Sequence, residues 1–442
     1  MDKNKLLLIP AVLVFFLFSV SSAEAGVIYT VQEGDSLWDI SRKYDTRPET
    51  LTKINGITQT SLLLPGQSLI IPGQEYVIEE GGSLWKTAHL HQTTVPKLKE
   101  ENNLSSDVVH PGKKLTIPRS PKERIHTGAF FQPGTPEENK WAMQFYRQYL
   151  SSVGFFEYRP DQNGQLSSLH GEHAIKQAWK QGMTPYATIT NLTPEGFDAS
   201  LAHTLLNSTA KREAFIENMA SLVDQKQYKG VIIDFENLDP RDRSAFHSFI
   251  KALSARLGDI GGQVGLALPP MQGDGEPAYH GAYDYKALGA DADFVFLMTY
   301  DWHWAGGEAG PIAPINKVER TIQYASSVMP SEKIYLGFAM YAYDWVVSSD
   351  QTKAEAYSQR QALKTAVQKS SEIQYNYYKA TPFFRYHDKN GKQHEVWFED
   401  ARSLLPKYRL VKKYDLQGLG GWKTGLRFPQ AGYLLKDEFI IE

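Results

Sequence analysis

Eight short apolar runs alternate with helix-patterned segments from about residue 126 to the C-terminus, and that alternation leaves few folds open. The runs are Thr127–Phe131, Val153–Tyr158, Pro185–Thr190, Gly230–Glu236, Val264–Leu268, Phe294–Tyr300, Ile334–Tyr341 and Gly418–Trp422. Parallel strands need a crossover between them, usually a helix, and eight such units in succession close into a (β/α)8 TIM barrel of the α/β class. The spacing widens between the seventh and eighth runs. The aromatic-rich stretch from Tyr375 to Trp397 is therefore expected to form a small insertion on the barrel rim. The barrel is expected to occupy 126–442, preceded by a Pro- and charge-containing linker at 119–125.

Ahead of the linker the chain repeats itself. Tyr29-Thr30-Val31 and Gly34-Asp35-Ser36-Leu37-Trp38 return as Tyr76-Val77-Ile78 and Gly81-Gly82-Ser83-Leu84-Trp85. Pro65-Gly66-Gln67-Ser68-Leu69-Ile70-Ile71-Pro72 returns as Pro111-Gly112-Lys113-Lys114-Leu115-Thr116-Ile117-Pro118. Each copy opens on a β-rich stretch, continues with a serine able to cap a helix, and closes with a Pro-Gly turn and a second β-rich run. Leu37, Trp38, Leu84 and Trp85 are expected in the core. The pattern resembles the LysM module, a βααβ unit that binds N-acetylglucosamine-containing glycans, over 28–72 and 75–118. In that family the glycan crosses loops corresponding to Gly34-Asp35-Ser36 and to the stretch after Asn55-Gly56-Ile57. The resemblance thus marks Gly34, Asp35, Ser36 and Ile57 as glycan contacts. The second copy departs from the first, with Gly82 opposite Asp35 and Glu101 opposite Ile54.

At the N-terminus, Lys3 and Lys5 precede an uncharged apolar stretch from Leu6 to about Val20, followed by Ser21, Ser22 and Ala23-Glu24-Ala25. This order reads as a secretory signal over 1–25. The alternative is an uncleaved membrane anchor, against which the stretch is short of the roughly 20 residues of a spanning helix and is interrupted by Pro10; either way the rest of the chain is expected outside the membrane, with no stable insertion once the signal is removed. The chain is then secreted, to the cell wall or spore envelope. It has no cysteine, and a domain of this size can rely on its core instead of disulfides. A net charge of −3 without a basic run excludes an electrostatic footprint for nucleic acid. Aromatic residues make up 12% of the chain, which suits stacking on sugar rings as well as core packing.

The chemistry concentrates in the fourth run. Strand alternation puts Ile232, Asp234 and Glu236 on one face, pointing into the barrel, with both acids near the carboxyl end, where active sites of this fold sit. Acids there serve either catalysis or a structural network with neighbouring Lys or Arg. Gly230-Val231-Ile232-Ile233-Asp234-Phe235-Glu236 then matches the second half of the D-G-x-D-x-D-x-E strand of glycoside hydrolase family 18. Leu297-Met298-Thr299-Tyr300-Asp301 matches that family's M-x-Y-D element, Gly337 to Trp345 resembles its seventh strand, and Trp422 stands at its eighth-strand tryptophan. The combination with tandem LysM modules is similar to bacterial spore N-acetylglucosaminidases that digest spore peptidoglycan, and Val396-Trp397-Phe398-Glu399-Asp400 resembles their late segment.

By that resemblance Glu236 is the general acid, Asp234 holds the substrate's acetamido N–H, Tyr300 its carbonyl, and Trp422 floors the sugar subsite. Asp301, Met298 and Tyr341 are further substrate contacts, although ordinary rim packing accounts for Tyr341 equally well. The substrate's acetamido oxygen is the nucleophile, and no cofactor or metal is required. The implied partner is peptidoglycan or a related N-acetylglucosamine polymer. Chitin hydrolysis and a non-catalytic wall- or coat-binding role are the alternatives. Lys229 and Ile232 depart from the family, standing where chitinases carry two earlier aspartates.

Overall fold

The computed structural model describes residues 26–57, 62–275, 277–347 and 353–442. The segment 1–25, read as an export signal, lies outside the described residues.

All eight runs form strands: β1 (Glu123–Phe131), β2 (Ser152–Tyr158), β3 (Thr184–Thr190), β4 (Gly230–Asp234), β5 (Gln263–Leu268), β6 (Phe294–Leu297), β7 (Ile334–Ala339) and β8 (Gly418–Trp422). Each pairs in parallel with the next, and β8 pairs in parallel with β1, so the sheet is a closed barrel with helices outside. Closure removes both sheet edges. Phe296 fills the interior, packed edge-on to Phe130, and a Cβ on Gly420 would come within 2.3 Å of its ring. Glycine on β8 therefore makes room for the ring that supports the upper barrel.

Two boundaries differ from the sequence reading. β1 begins at Glu123, inside the segment expected to be linker, because Phe439–Ile441 pairs in parallel with Glu123–Ile125. The rim insertion begins at Tyr341 instead of Tyr375. It is a five-stranded antiparallel sheet (Tyr341–Val346, Ala354–Ser358, Gln374–Asn376, Thr381–His387, Gln393–Trp397) with a helix over Gln359–Gln368. The seventh apolar run breaks at Met340, whose N–H donates to the Trp422 carbonyl before the chain turns into the insertion.

Each N-terminal repeat is a βααβ unit. Gly26–Thr30 pairs with Ser68–Pro72 around helices Leu37–Lys43 and Pro48–Asn55, and Glu75–Val77 pairs with Lys114–Thr116 around helices Leu84–Leu90 and Val95–Glu101. Ser36 and Ser83 cap the first helix of each copy. One asparagine per copy ties the second helix to the last strand. Asn55 donates to the Ile70 carbonyl and accepts from the Ile70 N–H, and Asn102 does the same with Thr116. The first module is docked on the barrel: Gln430 donates to Asn55 Oδ1 and to the Ser68 carbonyl, Ile373 N–H donates to Pro65, and Arg119 bridges Asp437 and the Gly26 carbonyl. Ile28 and Ile70 belong to the barrel's apolar cluster.

Replacing Asn55 by Ala removes the backbone clamp and the Gln430 contact together, whereas Asn102→Ala removes only a clamp. Stranding buried backbone partners costs about 1–3 kcal/mol. Urea denaturation should therefore show the larger loss for N55A; equal losses would mean the Gln430 contact contributes nothing.

Candidate active site

The site is built at the carboxyl end of β4. Asp234 is the last residue of the strand and only 4% exposed, aimed inward as the alternation requires. Glu236 lies two residues beyond the strand, where no ladder partner remains. Asn191, fully buried just after β3, replaces that ladder: its Oδ1 accepts the Glu236 N–H and its Nδ2 donates to the Glu236 carbonyl, each at 2.9 Å. Tyr283 braces the next turn, donating to the Phe235 carbonyl at 3.0 Å. The glutamate's backbone is thus fixed by Asn191, and its neighbours Phe235 and Leu238 by Tyr283 from the long loop after β5.

β6 supplies the facing wall. Asp301 adopts a left-handed backbone, φ +59°, and its carboxylate receives the Tyr341 hydroxyl at 2.5 Å, with the Tyr343 hydroxyl also acting on it. Tyr300 is buried and packs edge-on to Tyr341. Trp422 ends β8 half-buried, its ring gripped by the edges of Phe156 and Phe130 at 4.8 and 5.4 Å between centroids. Met298 is buried below Tyr300 in the chain, its N–H donating to the Leu268 carbonyl of β5. Glu236, Asp234, Tyr300, Asp301, Tyr341 and Trp422 therefore all belong to strand ends on one face of the barrel.

Burial dominates the electrostatics. It holds the Asp234 carboxyl well above its ordinary range, and the charges of Glu236 and Glu157 add to the effect. Burial and then the Asp301 charge push Glu236 up to about 7. Asp301 itself rises to about 6 from burial, opposed by its two tyrosine hydroxyls. Asp234 Oδ1 is buried with no hydrogen-bond partner among the described residues. The arrangement can offer one protonated carboxyl and one buried acceptor side by side over an aromatic floor.

Sequence reasoning missed Asn191, Tyr283 and Tyr343. Asn191 had one signal, an amide directly after a strand run; the tyrosines had none. It also placed Trp38 and Trp85 wrongly in the core. Leu37 and Leu84 are buried, but Trp38 is 58% and Trp85 63% exposed, one residue off the buried helical face. Trp38 lies under the Arg42 guanidinium and Trp85 stacks on His89. In the first module's loop, Gly34 has φ +85°, Asp35 accepts from Tyr29 and Gln32, and Ser36 caps a helix. Asp35 and Ser36 therefore have their side chains engaged locally. Ile57 packs against the module core, and the residues that follow it, 58–61, lie outside the described residues.

Comparison with known proteins agrees with this architecture. The profile of glycosyl hydrolases family 18 matches residues 194–426, and the LysM domain matches 29–72 and 76–118. The Bacillus subtilis protein YdhD is 36% identical over 94% of this chain and 99% of its own length. The cortical fragment-lytic enzyme of Bacillus subtilis is 34% identical over 94% of this chain and 98% of its own. The crystal structure of the Bacillus cereus spore cortex-lytic enzyme SleL superposes with a TM-score of 0.86 at 33% identity, covering 95% of this chain and 99% of that one.

The raised Glu236 carboxyl predicts a stability signature. A carboxyl whose folded pKa is raised binds its proton more tightly in the folded state, so stability is lost as pH rises from the ordinary value of 4.5 to about 7. Glu236→Gln removes that loss. The variant should match wild type near pH 4 and exceed it by roughly 1–3 kcal/mol at pH 8 in urea denaturation. A difference independent of pH would contradict the assignment.

Proposed function

Because the chain belongs to glycosyl hydrolase family 18, we propose that this glycosidase cleaves β-1,4 bonds after N-acetylglucosamine in peptidoglycan, with spore cortex as its target. Two relatives that align along nearly the whole of this chain carry cortex-lytic names, and the LysM modules supply a wall-directed partner for the barrel. The enzyme acts outside the membrane, at the wall or spore envelope. Among the described residues no helix is long and apolar enough to cross a bilayer.

The observation that carries the reading is the pairing of Glu236, with its carboxyl near 7, and Asp234, with a buried oxygen awaiting a donor. Glu236 protonates the leaving glycosidic oxygen, a task suited to a carboxyl still protonated near neutral pH. The substrate's acetamido oxygen attacks the anomeric carbon, a recognised exception to the two-carboxylate scheme. Asp234 accepts the acetamido N–H and stabilises the positive charge of the oxazolinium ion. Tyr300 directs the acetamido carbonyl, and Trp422 floors the distorted sugar. Asp301, Met298 and Tyr341 complete the subsite. In the modules, glycan crosses the loop of Gly34, Asp35 and Ser36 through backbone groups, and continues past Ile57.

The nucleophile must sit on the sugar whose bond breaks. Muramic lactam lacks a free acetamide and cannot assist its own cleavage. N-acetylmuramic acid carries one, but its O3 branch must fit beside Trp422 and Tyr300. N-acetylglucosamine meets neither obstacle. Borohydride reduction of a cortex digest followed by mass spectrometry should find reduced glucosamine ends; a digest dominated by reduced muramic ends would contradict the proposal. Glu236→Gln should lower turnover by about 10²–10⁴-fold while still binding cortex, and Asp234→Asn should be severely impaired. Turnover of chitin oligomers but not of cortex would instead identify a chitinase.

A further inference from the structure

The strand bearing the proposed catalytic pair lacks a partner for its buried aspartate. Ile232, one pleat below Asp234 on the same inward face, is apolar, and its Cδ1 packs over Gly154 of β2. An isoleucine can neither share a proton nor give a hydrogen bond. Asp234 Oδ1 is left without a partner among the described residues.

β2 is irregular at the same level of the barrel. Its register with β3 pairs Phe155 with Ala187 and then Tyr158 with Ile189, so Phe156 and Glu157 together face the single residue Thr188. Thr188 is in register with Ile232 of β4. A bulge of this kind re-aims a side chain, and here it brings Glu157 to the barrel layer of Ile232. The Glu157 side chain is 11% exposed. Its Oε1 accepts from Arg159 Nε at 2.9 Å, while its Oε2 is buried with no partner among the described residues. The mechanism proposed above does not use it.

We infer that Glu157 is a positioning residue that stands in, from two strands away, for the carboxylate missing at position 232: its charge, anchored by Arg159, keeps a proton on the Asp234–Glu236 pair. The inference rests on that pair being catalytic. A third negative charge beside two carboxyls makes their full ionisation costlier, so the acid survives to higher pH. The groups that face these carboxyls fit that role. Glu236 and Glu157 both act on Asp234, Asp301 acts on Glu236, and the neighbouring Tyr283 and Tyr300 hydroxyls are neutral. Cations bear on Glu157 from Arg159 just past β2 and from Lys423 just past β8, whose Nζ also donates to Gln132. The effect of the Glu157 charge on Asp234 persists beside them.

The test is the pH profile of kcat/KM on soluble cortical fragments for wild type, Glu157→Gln and Glu157→Asp, with melting curves as the check on folding. A basic limb reports the protonated acid, and removing a like charge lowers its pKa. Glu157→Gln should move that limb toward acid by about one pH unit with KM within about twofold at the optimum. Glu157→Asp, which keeps the charge but draws it back, should move the limb less in the same direction. A limb that does not move in folded Glu157→Gln, or activity lost equally at every pH, overturns the inference. If the amide does not fold, the smaller shift of Glu157→Asp carries the test, and an unmoved limb overturns it there too. Glu236→Gln is assayed alongside. A loss smaller than about 10²-fold in that variant overturns the catalytic pair itself, whereas the full loss in Glu236→Gln with an unmoved Glu157→Gln limb overturns only the role of Glu157.

Discussion

Burying carboxyl groups at the open end of an apolar barrel is the constraint around which the molecule is organised. Asp234, Glu236 and Asp301 are withdrawn from water, and among the described residues no lysine or arginine bonds to any of them. Such groups are costly as ions, so they hold protons at pH values where exposed carboxyls have lost them. The same withdrawal that weakens the fold supplies an acid near neutral pH. Stability and chemistry are opposed at these positions, as is common where a site needs a perturbed pKa.

The surrounding elements keep that unfavourable cluster in place. Asn191 substitutes for a ladder at the point where β4 ends, and Tyr283 fastens the following turn, so Glu236 is fixed through its backbone and its carboxyl accepts no hydrogen bond among the described residues. Tyr341 and Tyr343 reach Asp301 from the first strand of the insertion. The insertion is therefore part of the site wall. On the outside of the barrel, Gln430 and Asp437, both on the last helix (Pro429–Glu438), bind the first module through buried or half-buried polar contacts. The modules and the barrel meet through specific hydrogen bonds as well as through the connecting segment.

The barrel was legible because each strand is an apolar run of suitable length flanked by helical patterns, and the acids were legible because period-two alternation fixes which face they share. What escaped depended on partners remote in sequence. Asn191 acts on a residue 45 positions away. The N-terminal half of β1 looked like linker because Glu123 and Arg124 are charged, and only its pairing with Phe439–Ile441 makes it a strand. Trp38 and Trp85 are a different kind of error. Their helices bury Leu37 with Ile40, and Leu84 with Thr87 and Ala88, and a residue one step along falls on the outer face. The bulge that carries Glu157 has no sequence signature at all.

The central claim is that the substrate's acetamide, and no protein carboxylate, is the nucleophile. A thiazoline analogue of the bicyclic oxazolinium ion tests it directly, by calorimetric binding to wild type and Asp234→Asn, paired with mass spectrometry of the enzyme under turnover. The account predicts that the thiazoline binds at least about 10²-fold tighter than N-acetylglucosamine, that Asp234→Asn loses most of that advantage, and that the protein mass never increases. A covalent glycosyl-enzyme adduct, or a thiazoline that binds no better than the free sugar, would contradict it.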